Sequence, residues 1–169
     1  TDYQKAIKAK GCKLVCIDCI HDKHFVADVV INHGGGINAQ LYSNAPYTVL
    51  YIGPQYALLR PPFLKRKEKK GDSILISMGG ADKNNDILNI LSLLEDKKVS
   101  KTCYVIIGDA YLFKDELDFF CKNTSLDIQI LKNLKAEELA EIMCKCKCAI
   151  CPPSSISYEY LSLTGGELY

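Results

Sequence analysis

Beyond residue 72, short apolar runs of strand type alternate with stretches whose apolar residues recur at helical spacing. The first run, Ile74-Leu75-Ile76, breaks at Gly79 and Gly80. Asn84 or Asn85 is placed to cap a helix over 85–95, with Ile87, Leu88, Leu91 and Leu94 on one face. A strand over 104–107 ends at Gly108, and a helix over 112–122 buries Phe113, Leu117 and Phe120. A strand over 127–131 leads into Leu134, and a helix over 136–146 sets Leu139, Ile142, Met143 and Cys146 at core spacing. A strand over 148–151 meets Pro152-Pro153, after which Ser154 or Ser155 opens the last helix. Repeated strand–helix units predict an α/β fold with parallel sheets covered by helices on both faces.

The earlier residues show the same grammar less regularly. Residues 4–10 read as the end of a helix stopped by Gly11. Strands follow over 13–18, 27–31 and 47–52. The loop Asn32-His33-Gly34-Gly35-Gly36 follows a strand, where α/β proteins place ligand groups. His33 there either faces a cleft or is a loop histidine bonded to the backbone. Residues 60–72 change composition sharply, with two prolines and a run of cations. They read as an interdomain linker, phosphate binding being the alternative. The expected organisation is therefore an incomplete first lobe over 1–59, a linker over 60–72 and a second lobe over 73–169. The chain opens on Thr1-Asp2-Tyr3 and stops at Gly165-Gly166-Glu167-Leu168-Tyr169 with no terminal element expected, as a fragment of a longer protein would.

Composition narrows the function classes. The chain has 169 residues, 48% of them hydrophobic, so a substantial core is expected. A net charge of +1 gives no support to nucleic-acid binding or an anionic membrane surface. No apolar run reaches the roughly 18 residues of a membrane span. Nine cysteines fall mainly inside strand and helix patterns rather than in paired knuckles. They read as reduced core or surface thiols, without a metal or other cofactor, in a cytoplasmic setting.

Two stretches carry candidate chemistry. Met78-Gly79-Gly80-Ala81-Asp82 places a tight glycine turn between a strand and a helix N-terminus. Backbone amides and the helix dipole can bind an anion there, although many α/β proteins make this turn without a ligand. Ser154 and Ser155 open a second helix, with Glu159 one turn further on. That carboxylate can accept two hydrogen bonds from a ribose diol, or can serve as a capping or solvated glutamate.

In order along the chain stand Asp2-Tyr3, Gly11-Cys-Lys-Leu-Val-Cys-Ile-Asp18, Ala27-Asp-Val-Val-Ile-Asn32, Gly53-Pro-Gln-Tyr-Ala-Leu-Leu-Arg-Pro-Pro-Phe63, the glycine loop, and Ser154-Ser155 with Glu159. Together they resemble the UDP-sugar hydrolase family of pseudaminic acid biosynthesis and its spore-coat polysaccharide relatives, themselves similar to MurG-type glycosyltransferases. The resemblance implies a GT-B-like fold of two Rossmann-like lobes and a UDP-linked sugar as substrate. Gly79, Gly80, Ala81 and Asp82 would face the diphosphate, backbone near Leu134 the uracil edge, and Ser154, Ser155 and Glu159 the nucleotide helix and ribose. Asn32, His33 and Tyr56 are cleft candidates. The implied reaction is hydrolysis that releases UDP and free sugar, with sugar transfer or non-catalytic binding as alternatives. Two departures matter. The family usually has Asp-Asp where this chain has Asp18-Cys19, and its catalytic histidine lies upstream of the residues present. The expectation is thus a nucleotide half-site with no catalytic residue of its own.

Overall fold

The computed structural model describes residues 1–68 and 71–169. The chain divides into two compact units, Thr1–Leu58 and Leu59–Tyr169.

In the first unit, helix α1 (Asp2–Lys8) precedes strands β1 (Val15–Ile17), β2 (His24–Phe25), β3 (Val29–Asn32), β4 (Ser43–Asn44) and β5 (Val49–Ile52). β1, β3 and β5 form a parallel sheet in that order, and β2 pairs with β4 separately. Period-two alternation sends Val30 and Asn32 inward, towards a small core of Phe25, Ala27 and Tyr42. α1 buries no residue. It is tied down by polar contacts instead, Lys8 to the Asp28 carboxylate at 2.6 Å and Gln4 Oε1 to the Val26 amide at 2.9 Å. The two-residue strands β2 and β4 are too short to leave a periodic signal.

The second unit contains β6 (Ser73–Ile76), α2 (Asp86–Asp96), β7 (Cys103–Ile107), α3 (Lys114–Asn123), β8 (Ile128–Lys132), α4 (Ala136–Lys145), β9 (Cys146–Ile150), α5 (Ser155–Thr164) and β10 (Glu167–Leu168). Its five strands are all parallel, in the order β10-β9-β6-β7-β8. β6 is central and its apolar run is buried on both sides. Leu75 packs with Met143, Ala149 and Tyr160, whereas Ile74 and Ile76 pack with Ile87, Leu91 and Leu117. This is why Ile74-Leu75-Ile76 reads as a continuous apolar run rather than an alternating one. The architecture is Rossmann-like α/β. Among the described residues, no helix is long and apolar enough to cross a membrane.

Two expectations change. Within the expected connector, Phe63 packs into the core of the second unit, whereas residues 64–68 are exposed. Pro61–Phe63 form a 3-10 turn that buries Phe63 completely in the core of the second unit. Ser162 Oγ donates to Phe63 O at 2.9 Å, and Lys67 N donates to Leu163 O at 2.8 Å. Proline fixes the turn, and the aromatic ring between prolines and cations supplies the apolar anchor. Lys69 and Lys70, also assigned to the connector, lie outside the described residues. The C-terminal stretch has an element after all. β10 pairs with β9, and Tyr169 closes the ladder through its amide to Ala149 O at 2.9 Å and its carbonyl from Cys151 N at 3.1 Å.

The cysteines form no disulfide in this structure, and Cys103, Cys144, Cys146 and Cys151 are buried. Burial pushes the thiols of Cys103 and Cys151 up to about 11 and that of Cys146 up to about 12. They are therefore protonated at neutral pH and poor nucleophiles. Among the described residues, no group of three or more His, Cys, Asp or Glu is placed to hold a metal ion.

Candidate functional site

Strand order reverses between β6 and β9, the first and fourth strands of the second unit. In open parallel sheets, ligands bind at such a switch point, outside the carboxyl ends of the strands. A cavity of ≈ 400 Å³ lies there. Ser77, Gly79 and Gly80 enter it from the loop after β6, Ser154 and Ser155 from the loop after β9. Ile106, Leu134, Leu139 and Ile156 give it an apolar side, and Gly108 and Asn133 complete the wall.

Five of the residues expected from sequence thus meet in one cavity: Gly79, Gly80, Leu134, Ser154 and Ser155. Gly79 adopts φ +79°, a region that favours glycine. A Cβ at Gly80 would meet nothing within 4 Å, so the open side of this turn is the cavity. Gly108 has the opposite environment. A Cβ there would lie 2.7 Å from both Cα and O of Gly80. The end of β7 therefore carries glycine so that the preceding loop can lie against it. Gly108 was visible in the sequence only as a strand stop; its contact with Gly80 is tertiary.

Asp82 and Ala81 are not among the lining residues. Asp82 is buried, with its Oδ1 accepting from Asp86 N at 2.8 Å and its Oδ2 from Ile87 N at 3.0 Å. It caps α2. Asn85 occupies the cap position in a left-handed conformation, but its side chain makes no cap bond and accepts from Tyr111 Oη at 2.9 Å. The expected cap from Asn84 or Asn85 is thus supplied by Asp82. The first amides of α2 are occupied by a carboxylate of the protein itself, which leaves less of this helix end for a ligand anion. α5 differs. Ser154 makes no side-chain cap bond, and the first-turn residues Ser155 and Ile156 line the cavity. Their amides have no intrahelical partner. Free amides at a helix N-terminus favour anions, so this end of α5 is better suited to one than that of α2.

Glu159 is 3% exposed and lies one turn below this opening rather than in the wall. Arg60 Nε donates to its Oε1 at 2.7 Å and Arg60 Nη2 to its Oε2 at 2.8 Å. The Arg60 guanidinium sits 5.0 Å from the centre of the Phe63 ring. Its hydrogen bonds to Glu159 push the arginine further up from its ordinary value. Arg60 stands in the Gly53–Phe63 stretch of the resemblance, but nothing in the sequence tied it to Glu159, 99 positions away.

No protein-family model matches the chain. It is 29% identical over 176 aligned residues to the uncharacterized protein MJ1062 of Methanocaldococcus jannaschii. The alignment takes in 96% of this chain and 36% of that protein, so the chain spans about a third of the relative's length.

A second, larger cavity of ≈ 580 Å³ is lined by Lys67, Glu68, Glu141, Cys144 and Lys145. It adjoins the C-terminal end of α4 and holds none of the strand-end loops.

The remaining expected residues belong to the first unit. Asn32 is buried, donates from Nδ2 to Tyr42 Oη at 2.7 Å and accepts from Gly34 N at 2.8 Å. Tyr42 Oη in turn donates to Asp18 Oδ2 at 2.7 Å. Asn32 is therefore a buried link in this chain of bonds rather than an open cleft residue. His33 is half-buried beside it. Tyr56 is exposed and packs at a tilt against Tyr51, ring centres 5.0 Å apart. Burial alone would raise the Asp18 carboxyl. The hydrogen bonds from Tyr42 and from the amides of His21, Ile20 and Cys19 outweigh it and hold it below its ordinary value. Burial pushes the Tyr42 hydroxyl up to about 12, with Asp18 adding to the rise.

Tyr42→Phe should cost about 1–3 kcal/mol, because Asn32 and Asp18 each lose a buried partner. The neutral hydroxyl is the stabilising form. Its contribution is full below the unfolded value of about 10 and is lost as pH rises through the folded value of about 12. Chemical denaturation of wild type and variant should show a constant gap from neutral pH to about 10, closing above it. A gap that widens above that pH contradicts the assignment.

Proposed function

We propose that the second unit binds the nucleotide part of a UDP-linked sugar, and that the longer protein hydrolyses this substrate to UDP and free sugar. The observation that carries the reading is the convergence of the Gly79-Gly80 turn and the open N-terminus of α5 at the switch point of a parallel sheet. The cavity has two characters. Its amide-rich side, at Gly79, Gly80, Ser154 and Ser155, suits a diphosphate. Its apolar side, at Ile106, Leu134, Leu139 and Ile156, suits the face of a base. Glu159 would take the ribose hydroxyls. The resemblance to the pseudaminic acid family supplies uracil as the base, a GT-B-like pairing of lobes and hydrolysis as the reaction. In that reaction water stands where a glycosyltransferase would place an acceptor hydroxyl.

Calorimetric titration of the chain with UDP and with uridine tests the reading. Gly80→Val adds its side chain on the open side of the turn, so folding should be little affected while the phosphate side of the cavity is filled. UDP affinity should fall by at least about tenfold, about 1.4 kcal/mol, with uridine affinity nearly unchanged. Absence of UDP binding at millimolar concentration by the folded wild-type chain would overturn the nucleotide assignment. Unchanged UDP binding by Gly80→Val would overturn the placement of the phosphates.

A further inference from the structure

We infer that the outer face of the β1-β3-β5 sheet is a packing surface for amphipathic helices of the longer protein, carried by strand–helix units that precede Thr1 and extend this sheet past the free edge of β1.

Two rungs of side chains cross the sheet on this face. Val15, Val29 and Val49 form one, and Ile17, Ile31 and Tyr51 form the other. None of the six is charged. Val15 is 55% exposed, Ile17 66%, Val49 48% and Tyr51 40%. Val29 and Ile31 are half-buried because a strand flanks them on each side. The rung between these two, Cys16, Val30 and Leu50, faces the other way, onto Phe25, Ala27 and Tyr42. Both faces of this parallel sheet are therefore apolar. That is the composition of a sheet covered by helices on two sides, since a face meant for water alternates with polar residues.

The topology indicates what covers it. The strands advance in one direction, from β1 to β3 to β5. Crossovers between parallel strands are right-handed, so successive crossovers in one direction lie on one face. Residues 18–28 supply Phe25 and Ala27 to the inner core, and residues 33–48 supply Ile37 and Tyr42. Both connections thus lie on the inner side. α1 lies there too, with Gln4 on the Val26 amide and Lys8 on the Asp28 carboxylate. A right-handed crossover that enters β1 through a helix on the inner side comes from a strand beyond the free edge of β1. Helices on the outer side belong to crossovers running the opposite way, outward from that edge. Such units come before α1 in the chain. The alignment takes in 36% of MJ1062, so that relative has room for them.

The same substitutions in two contexts test this. In the present chain Val15→Lys and Ile17→Lys change exposed positions, and each should melt within about 2 °C of wild type. In the protein made from the full reading frame each should lower the melting temperature by about 4 °C or more, because a lysine then meets an apolar helix layer. Should a lysine variant of the longer protein not fold, Ile17→Ala decides: a comparable fall there with none in the present chain supports a covered site. Equal, small effects in both contexts would overturn the proposal. So would a reading frame with no strand–helix unit ahead of Thr1. Sedimentation of the longer protein separates the other occupant: a dimer that Ile17→Lys dissociates would show that a second copy covers this face, and the proposal would be wrong.

Discussion

Phe63→Ala should lower the stability of the second unit by about 3–5 kcal/mol, the range for deleting a buried aromatic ring. The side chain is fully buried among Leu75, Leu139, Met143 and Leu163. It also carries the guanidinium of Arg60 on its face. Its removal therefore opens a cavity and loosens the residue that holds Glu159. That is a large share of a typical domain stability of about 5–15 kcal/mol. Urea unfolding followed by far-ultraviolet circular dichroism measures this as a fall in midpoint at constant slope. A loss below about 1 kcal/mol would mean that Phe63 is not part of this core. Leu64 is the control. It is the next residue and 62% exposed, so Leu64→Ala should be close to neutral.

Gly108→Val should disable the site through backbone contact rather than through any loss of ligand chemistry. The added Cβ would lie 2.7 Å from Gly80 Cα and Gly80 O, closer than non-bonded atoms approach. Neither partner is a flexible side chain, so the Gly79-Gly80 turn has to move. Overpacking of this kind costs about 1–3 kcal/mol of stability. The displaced turn should also take its amides away from the phosphate position, with UDP affinity falling by more than about tenfold. Comparison with Gly80→Val separates two mechanisms. Gly80→Val blocks the cavity and leaves folding intact, whereas Gly108→Val lowers both the melting temperature and the affinity. Melting and UDP binding equal to wild type in Gly108→Val would refute the close approach of the two loops.

The sequence by itself determined the regular part of this protein. Strand and helix periodicity, glycine breaks and serine starts are local properties, and they place β6 to β9 and α2 to α5 within a few residues of their structural bounds. Locality also made Gly79, Gly80, Ser154 and Ser155 visible, since each follows a strand in a repeated strand–helix pattern. What only the tertiary structure decided are the features that join distant residues. Phe63 is core because α4 and α5 cover it, although its neighbours in sequence are prolines and cations. Asp82 rather than Asn85 caps α2, because the turn brings both of its oxygens to the first amides while Tyr111 takes the Asn85 side chain. β10 exists because β9 offers an unpaired edge, not because two residues carry a periodicity. The pairing of Arg60 with Glu159 spans 99 positions. Such partners are chosen by the strand order β10-β9-β6-β7-β8, and strand order is set by how apolar faces are covered in three dimensions.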